Sequence, residues 1–187
     1  VVHLVSGYDH LLFLLCLLLP AVLARRVGLW QPVAHWRNAL LPVAGVVTAF
    51  TLAHSITLAL AALGHVRISP SVIEPLIALS IVLAAIDNLW PILRNAPRWT
   101  VAFGFGLIHG FGFAGVLGEL ELPAGELAWA LLQFNLGLEA AQLAVVALSV
   151  GLLWQLRRWQ GYPRWVLQVG SGFAALIGGF WVLQRVA

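Results

Sequence analysis

The chain has 187 residues, of which 61% are hydrophobic and 9% charged, with a mean hydropathy of +0.96. A water-soluble domain carries about a quarter of its residues as charges, so a soluble globular fold is excluded and a membrane protein is expected. The 10 basic residues are all arginine, against 7 acidic ones, and in so apolar a chain the net charge of +3 reads as membrane topology rather than nucleic-acid binding.

Six apolar runs of membrane-spanning length follow along the chain. Backbone groups in lipid must be satisfied within the segment, and the period-two alternation of a barrel is absent, so the runs are expected to be helices. The expected fold is all-α, a compact bundle of six transmembrane helices forming one domain over residues 1–187.

The first run, 2–24, opens V-V-H-L-V-S-G-Y-D-H-L-L-F. It places His3 and His10 two helical turns apart on nearly one face, with Asp9 adjacent. Its lone cysteine, Cys16, has no partner for an intrachain disulfide. The connection that follows carries Trp30, Pro32, His35 and Trp36 and is expected to lie along the headgroups. With no methionine in the chain, Val1 is expected to follow a removed segment.

The second run, 39–64, carries Thr48, Thr51, His54 and Ser55 as a polar stripe at spacings of three and four. Thr51 and Ser55 either bond back to the preceding turn or support ligands. The third, 72–93, has Glu74 near its outer end and Asp87 with Asn88 near its inner end. That pair reads equally as a helix cap and as an exit site. The fourth, 99–118, surrounds His109 with Gly104, Gly106, Gly110, Gly112 and Gly115, which allow close helix approach or local unwinding. An outer loop with Glu119, Glu121 and Glu126 follows, either a cation-gathering mouth or simply an acidic loop.

The fifth run, 127–156, holds Asn135, Glu139 and Gln142 on one side. The sixth, 165–186, has no ionisable side chain at its centre, and its Gly170, Ala174 and Gly178 stripe reads as scaffold or as a contact in a homo-oligomer. His35 and His65 fall in loops and read as ordinary residues.

Arginine placement orients the bundle. Arg25, Arg26, Arg37, Arg94, Arg98, Arg157, Arg158 and Arg164 fall in one set of alternate loops, and only Arg67 and Arg185 in the other, so both termini are expected to be extracytoplasmic. A helix rise of about 1.5 Å per residue then places His54, His109, Asn135 and Glu139 at a depth of roughly 12 to 18 Å, near the bilayer midplane. Asp9 and His10 lie nearer the outside and Asp87 deeper.

Ionisable groups inside a membrane are costly and mark function. Imidazole with a carboxylate at one depth suits nickel, cobalt or zinc. The lack of methionine and the isolated cysteine argue against copper(I), and a magnesium or calcium cage would use more carboxylates.

The segments G-Y-D-H-L-L-F at 7–13, F-T-L-A-H-S-I-T-L at 50–58, F-G-L-I-H-G-F-G-F-A at 105–114 and F-N-L-G-L-E at 134–139 resemble the HupE/UreJ family, in its second, more divergent branch, over the first five helices. The resemblance implies a nickel or cobalt permease of the bacterial cytoplasmic membrane, linked to hydrogenase and urease maturation. It carries the family's first-helix histidine and Asp-His pair onto His3, Asp9 and His10. Leu4 follows His3 where the better-characterised branch has proline, and the downstream methionine of that branch is absent here.

The expected function is a divalent-metal permease. Asp9 and His10 admit the ion, His54, His109 and Glu139 with Asn135 hold it, and Asp87 marks the inward path. Glu74, Thr51 and Ser55 are supporting residues. The alternative is an intramembrane zinc hydrolase built on the same His, Asp, Ser and Glu cluster.

Overall fold

The computed structural model describes residues 2–26, 29–93, 95–112 and 123–187, with side chains for the same residues except 2–7, 26 and 124. In chain order the elements are helix α1 (Val2–Leu18), strands β1 (Leu23–Arg26) and β2 (Leu29–Pro32), then α2 (Trp36–Ala62), α3 (Pro70–Leu89), α4 (Arg98–Gly112) and α5 (Ala124–Leu156). A π-helical turn (Pro163–Val169) leads into α6 (Gly170–Val186). Four helical segments are long and apolar enough to cross a membrane: Trp36–Ala62, Pro70–Leu89, Gly125–Leu156 and Pro163–Val186. The described parts of α1 and α4 are shorter, at 17 and 15 residues. The remainder of the fourth expected span, 113–118, lies outside the described residues, as do Glu119 and Glu121 of the outer loop.

The first span is shorter than its apolar run. Helix α1 stops at Leu18 instead of continuing to residue 24, because Pro20 lacks an amide donor and cannot extend the ladder. The chain then forms an antiparallel hairpin, with Arg25 opposite Trp30 and its guanidinium over that ring at 5.7 Å. Strand pairing satisfies the backbone at this end without a helix. Val22 and Leu23 of the hairpin are buried with Leu14, Leu18, Val43, Val146 and Tyr162 in one apolar cluster. The Tyr162 hydroxyl donates to the Leu19 carbonyl oxygen at 2.9 Å, fixing the turn before α6 to the end of α1.

Glycine decides how α4 sits on α2. Gly106 lies against the Phe50 carbonyl and Ala53, and Gly110 against the His54 carbonyl and the Thr57 hydroxyl, so the two helices run parallel in backbone contact. Against α5, α2 runs antiparallel: Thr51 meets Gln142, while Leu58 packs with Leu127 and Leu131. Helices α3 and α6 are also antiparallel, with Asn88 bonded to Ser171 at one end and the Glu74 carbonyl bonded to Arg185 at the other.

The small-residue stripe of α6 is occupied inside the chain. Gly178 packs against Val82 and Ala78 of α3, Ala174 is buried in the core, and Gly170 meets Leu19. This packing is the scaffold alternative for the stripe. Asn88 donates to both the Cys16 carbonyl and the Ser171 hydroxyl, tying α1, α3 and α6 at one level.

Candidate metal-handling site

The α4 glycines bring His109 of α4 beside His54 of α2, and both imidazoles are fully buried. His10 of α1 completes the cluster. Its ring centroid is 4.8 Å from that of His109 and 5.7 Å from that of His54, both edge to face. Nδ1 of His109 lies 3.4 Å from Nε2 of His10. Phe50 contacts all three imidazoles, with centroid separations of 5.1 to 6.1 Å, and Phe13 packs on His109 at 5.2 Å. Three histidines from three separate helices thus meet against Phe50 and Phe13, although depth alone sets His10 nearer the outside than His54 and His109.

Ser80 of α3, which the sequence reading did not single out, fixes the chemistry of His109. A serine hydroxyl has one hydrogen. Ser80 donates it to the Ile77 carbonyl at 2.6 Å, so its oxygen, 2.8 Å from Nε2 of His109, accepts the ring N–H. A neutral His109 ring held in this way keeps its Nδ1 lone pair toward His10, the form that ligates metals. A serine on an apolar helix ordinarily bonds only to the preceding turn. No local pattern distinguished this one.

The oxygen-bearing residues form a second group, on the α5 side of α2. Glu139 accepts the Thr48 hydroxyl at 2.6 Å through Oε1, while its buried Oε2 has no hydrogen-bond partner. Gln142 accepts the Thr51 hydroxyl at 2.9 Å. Ser55 donates to the Thr51 carbonyl at 2.7 Å, the back-bonding alternative. Thr48, Thr51, Ser55, Asn135 and Glu139 line a cavity of about 420 Å³ whose remaining walls are leucine and alanine. His54 joins the groups: its Nδ1 is 3.5 Å from Oδ1 of Asn135, whose amide nitrogen bonds the Leu131 carbonyl.

Asp9 stands apart from both. It is 3% exposed, and its Oδ2 pairs with Arg185 of α6 at 2.8 Å. Glu74 enters this corner through its carbonyl oxygen, which accepts from Arg185 at 3.0 Å. Asp87 accepts the Leu93 backbone N–H at 2.7 Å, the cap alternative, and it touches neither group. The His3 side chain lies outside the described residues.

Among the described residues, no set of three or more His, Cys, Asp or Glu side chains is arranged to hold a metal ion. The single midplane site expected from His54, His109, Asn135 and Glu139 is instead divided, with imidazoles toward α4 and the carboxylate toward α5. Rotation about α2 is the cause. Phe50, Ala53, His54 and Thr57 point to α4, whereas Thr48, Thr51 and Ser55 point to α5.

The family model described as HupE / UreJ protein matches residues 1–185, essentially the whole chain. The chain belongs to the HupE/UreJ family. That family is associated with nickel and cobalt transport, and membership together with the four spanning segments makes the chain a membrane protein. No curated protein and no solved structure matches it. Within the family frame, His10, His54 and His109 fall in three of the four segments that carried the resemblance, and Glu139 falls in the fourth.

Proposed function

We propose that this HupE/UreJ protein is a permease for a divalent transition metal, nickel, cobalt or zinc, in a bacterial cytoplasmic membrane. The observation that carries the reading is the His10, His54 and His109 cluster, contributed by three helices and packed against Phe50 and Phe13, with Nε2 of His109 held by Ser80 and its Nδ1 toward His10. Imidazole is the ligand these metals favour among the side chains present.

The helix directions support six crossings with both termini outside. Helices α2 and α4 run one way and α5 the other, as alternating spans require. The arginine asymmetry sets the sign of that alternation. On this reading Asp9 and His10 receive the ion from the outer side, His54 and His109 hold it, and Glu139 with Asn135 takes it on through His54.

The hydrolase alternative is less well supported. A zinc-bound water has to meet a lipid-borne substrate, yet none of the three histidines lines the cavity that contains Glu139 and Ser55.

The test is time-resolved uptake of nickel, cobalt and zinc into proteoliposomes. Saturable flux in the native chain is expected to be lost in His54→Ala and kept in His35→Ala, whose side chain is exposed at the start of α2. Metal binding without flux, or equal flux in all three proteins, would refute the permease reading.

A further inference from the structure

The charge that faces the proposed entry site is an arginine from the far end of the chain. Arg185 and Asp9 are 176 positions apart, yet Nη2 of Arg185 lies 2.8 Å from Oδ2 of Asp9, with both side chains almost fully buried. The second oxygen, Oδ1, is buried and has no hydrogen-bond partner. A carboxylate in this setting therefore has one oxygen committed to a resident cation and one still available.

Adjacent helical positions diverge by about 100°. Asp9 accordingly faces α6 while the neighbouring His10 faces the histidines of α2 and α4. Asp9 is thus placed to take a cation and pass it one residue along to the imidazoles. The cation already on it must first yield.

Arg185 has partners that do not depend on Asp9. Its Nη1 donates to the Glu74 carbonyl oxygen at 3.0 Å, and its guanidinium lies 5.7 Å from the centre of the Trp181 ring, one turn earlier on α6. It also sits in the last turn of α6, where a long cationic side chain can reach the membrane surface. Release from Asp9 would leave it neither unpaired nor stranded in lipid.

We propose that Arg185 is a tethered competitor for the transported ion, holding the Asp9 carboxylate when no metal is present and exchanging with the incoming divalent cation. The proposal rests on the permease reading above. In the empty state Arg185 neutralises Asp9, and in the loaded state the metal does, so the entry carboxylate is never buried alone. The return of Arg185 then drives the metal off Asp9 toward His10 and keeps binding weak enough for turnover. No covalent bond is made or broken.

The test uses the full chain in lipid nanodiscs with nickel alone as the probe, measuring equilibrium binding, dissociation rate and thermal unfolding. Arg185→Gln is expected to bind nickel about tenfold tighter than the native chain, within the usual range of coupling between two linked events, with correspondingly slower dissociation. Without metal it should unfold at lower temperature, because Asp9 is left unpaired, and Asp9→Asn/Arg185→Gln should recover part of that loss. Arg185→Lys retains the charge and protects folding, and its nickel affinity should fall between native and Arg185→Gln. Unchanged or weaker nickel binding in folded Arg185→Gln would overturn the exchange while leaving the permease reading in place. If the native chain binds no nickel, cobalt or zinc, the permease reading itself falls and the exchange falls with it. Recovery in the double variant would then identify the pair as structural only.

Discussion

Replacing Gly110 by alanine tests whether close approach of α4 to α2 builds the histidine cluster. The added Cβ would collide with the His54 carbonyl oxygen and the Thr57 hydroxyl, and it would lie 3.1 Å from the His54 carbonyl carbon. Backbone atoms cannot rotate away, so α4 has to retreat. Overpacking of this kind costs about 1–3 kcal/mol, which for a chain of this size lowers the unfolding midpoint by about 5 °C. The same retreat moves His109, the preceding residue, away from a contact of 3.4 Å with His10. Gly104→Ala on the same helix is the control, because its Cβ meets nothing within 4 Å. That change should be neutral or stabilise α4 by up to about 1 kcal/mol through helix propensity alone. Thermal unfolding in detergent and metal uptake in proteoliposomes are read for both variants. Removing the hydroxyl as well, in Gly110→Ala/Thr57→Ala, should not restore the native values, since the His54 carbonyl remains in place. If Gly110→Ala proved as stable and as active as Gly104→Ala, backbone contact between α2 and α4 would not be what positions the imidazoles.

Three further outcomes follow from named contacts. Ser80→Ala removes the acceptor for the Nε2–H of His109 and should weaken metal binding by about 10- to 100-fold, as loss of a ligand's orienting partner typically does; nitrogen NMR of the His109 ring should show a mixed tautomer population, and an unchanged ring spectrum would contradict the assignment. Glu139→Gln keeps an acceptor for the Thr48 hydroxyl and should fold normally while losing most metal flux; full flux would exclude the carboxylate from the path. Tyr162→Phe leaves the Leu19 carbonyl without its donor and should cost about 1 kcal/mol, read as a lower unfolding midpoint with uptake per folded molecule unchanged.

What the sequence disclosed was whatever depends on position along a helix axis. Apolar run length marked where helices lie, and rise per residue put His54 and His109 at one level but set His10 nearer the outside, where the structure brings its ring against both. Rotation about the axis was less accessible. Depth alone placed Glu139 with the imidazoles because both lie at the same level, whereas the α5-facing side of α2 holds Glu139 away from them. The Asp9 and Arg185 pair was illegible for a related reason. Arginine counting treats Arg185 as one charge on a face, and nothing local in a helix end reveals that it reaches inward to a carboxylate on another helix. The hairpin did leave a local signal, since Pro20 interrupts the first apolar run and Gly28 stands between two short segments. A criterion based on hydropathy alone passes over both residues.

The division of the site by α2 also bears on how an ion moves through it. Imidazole and carboxylate oxygen differ in their preference among divalent metals, and a cage that gathered both around one ion would hold nickel or cobalt tightly. Here the oxygen of Asp9 lies on one side of the imidazoles and that of Glu139 beyond them, with His54 reaching toward both groups through His10 and Asn135. On the proposed permease reading, an ion passing along this series would exchange one or two ligands at a time. Each intermediate position is then moderately favourable and none is a trap, the condition under which several weak sites conduct better than one strong one.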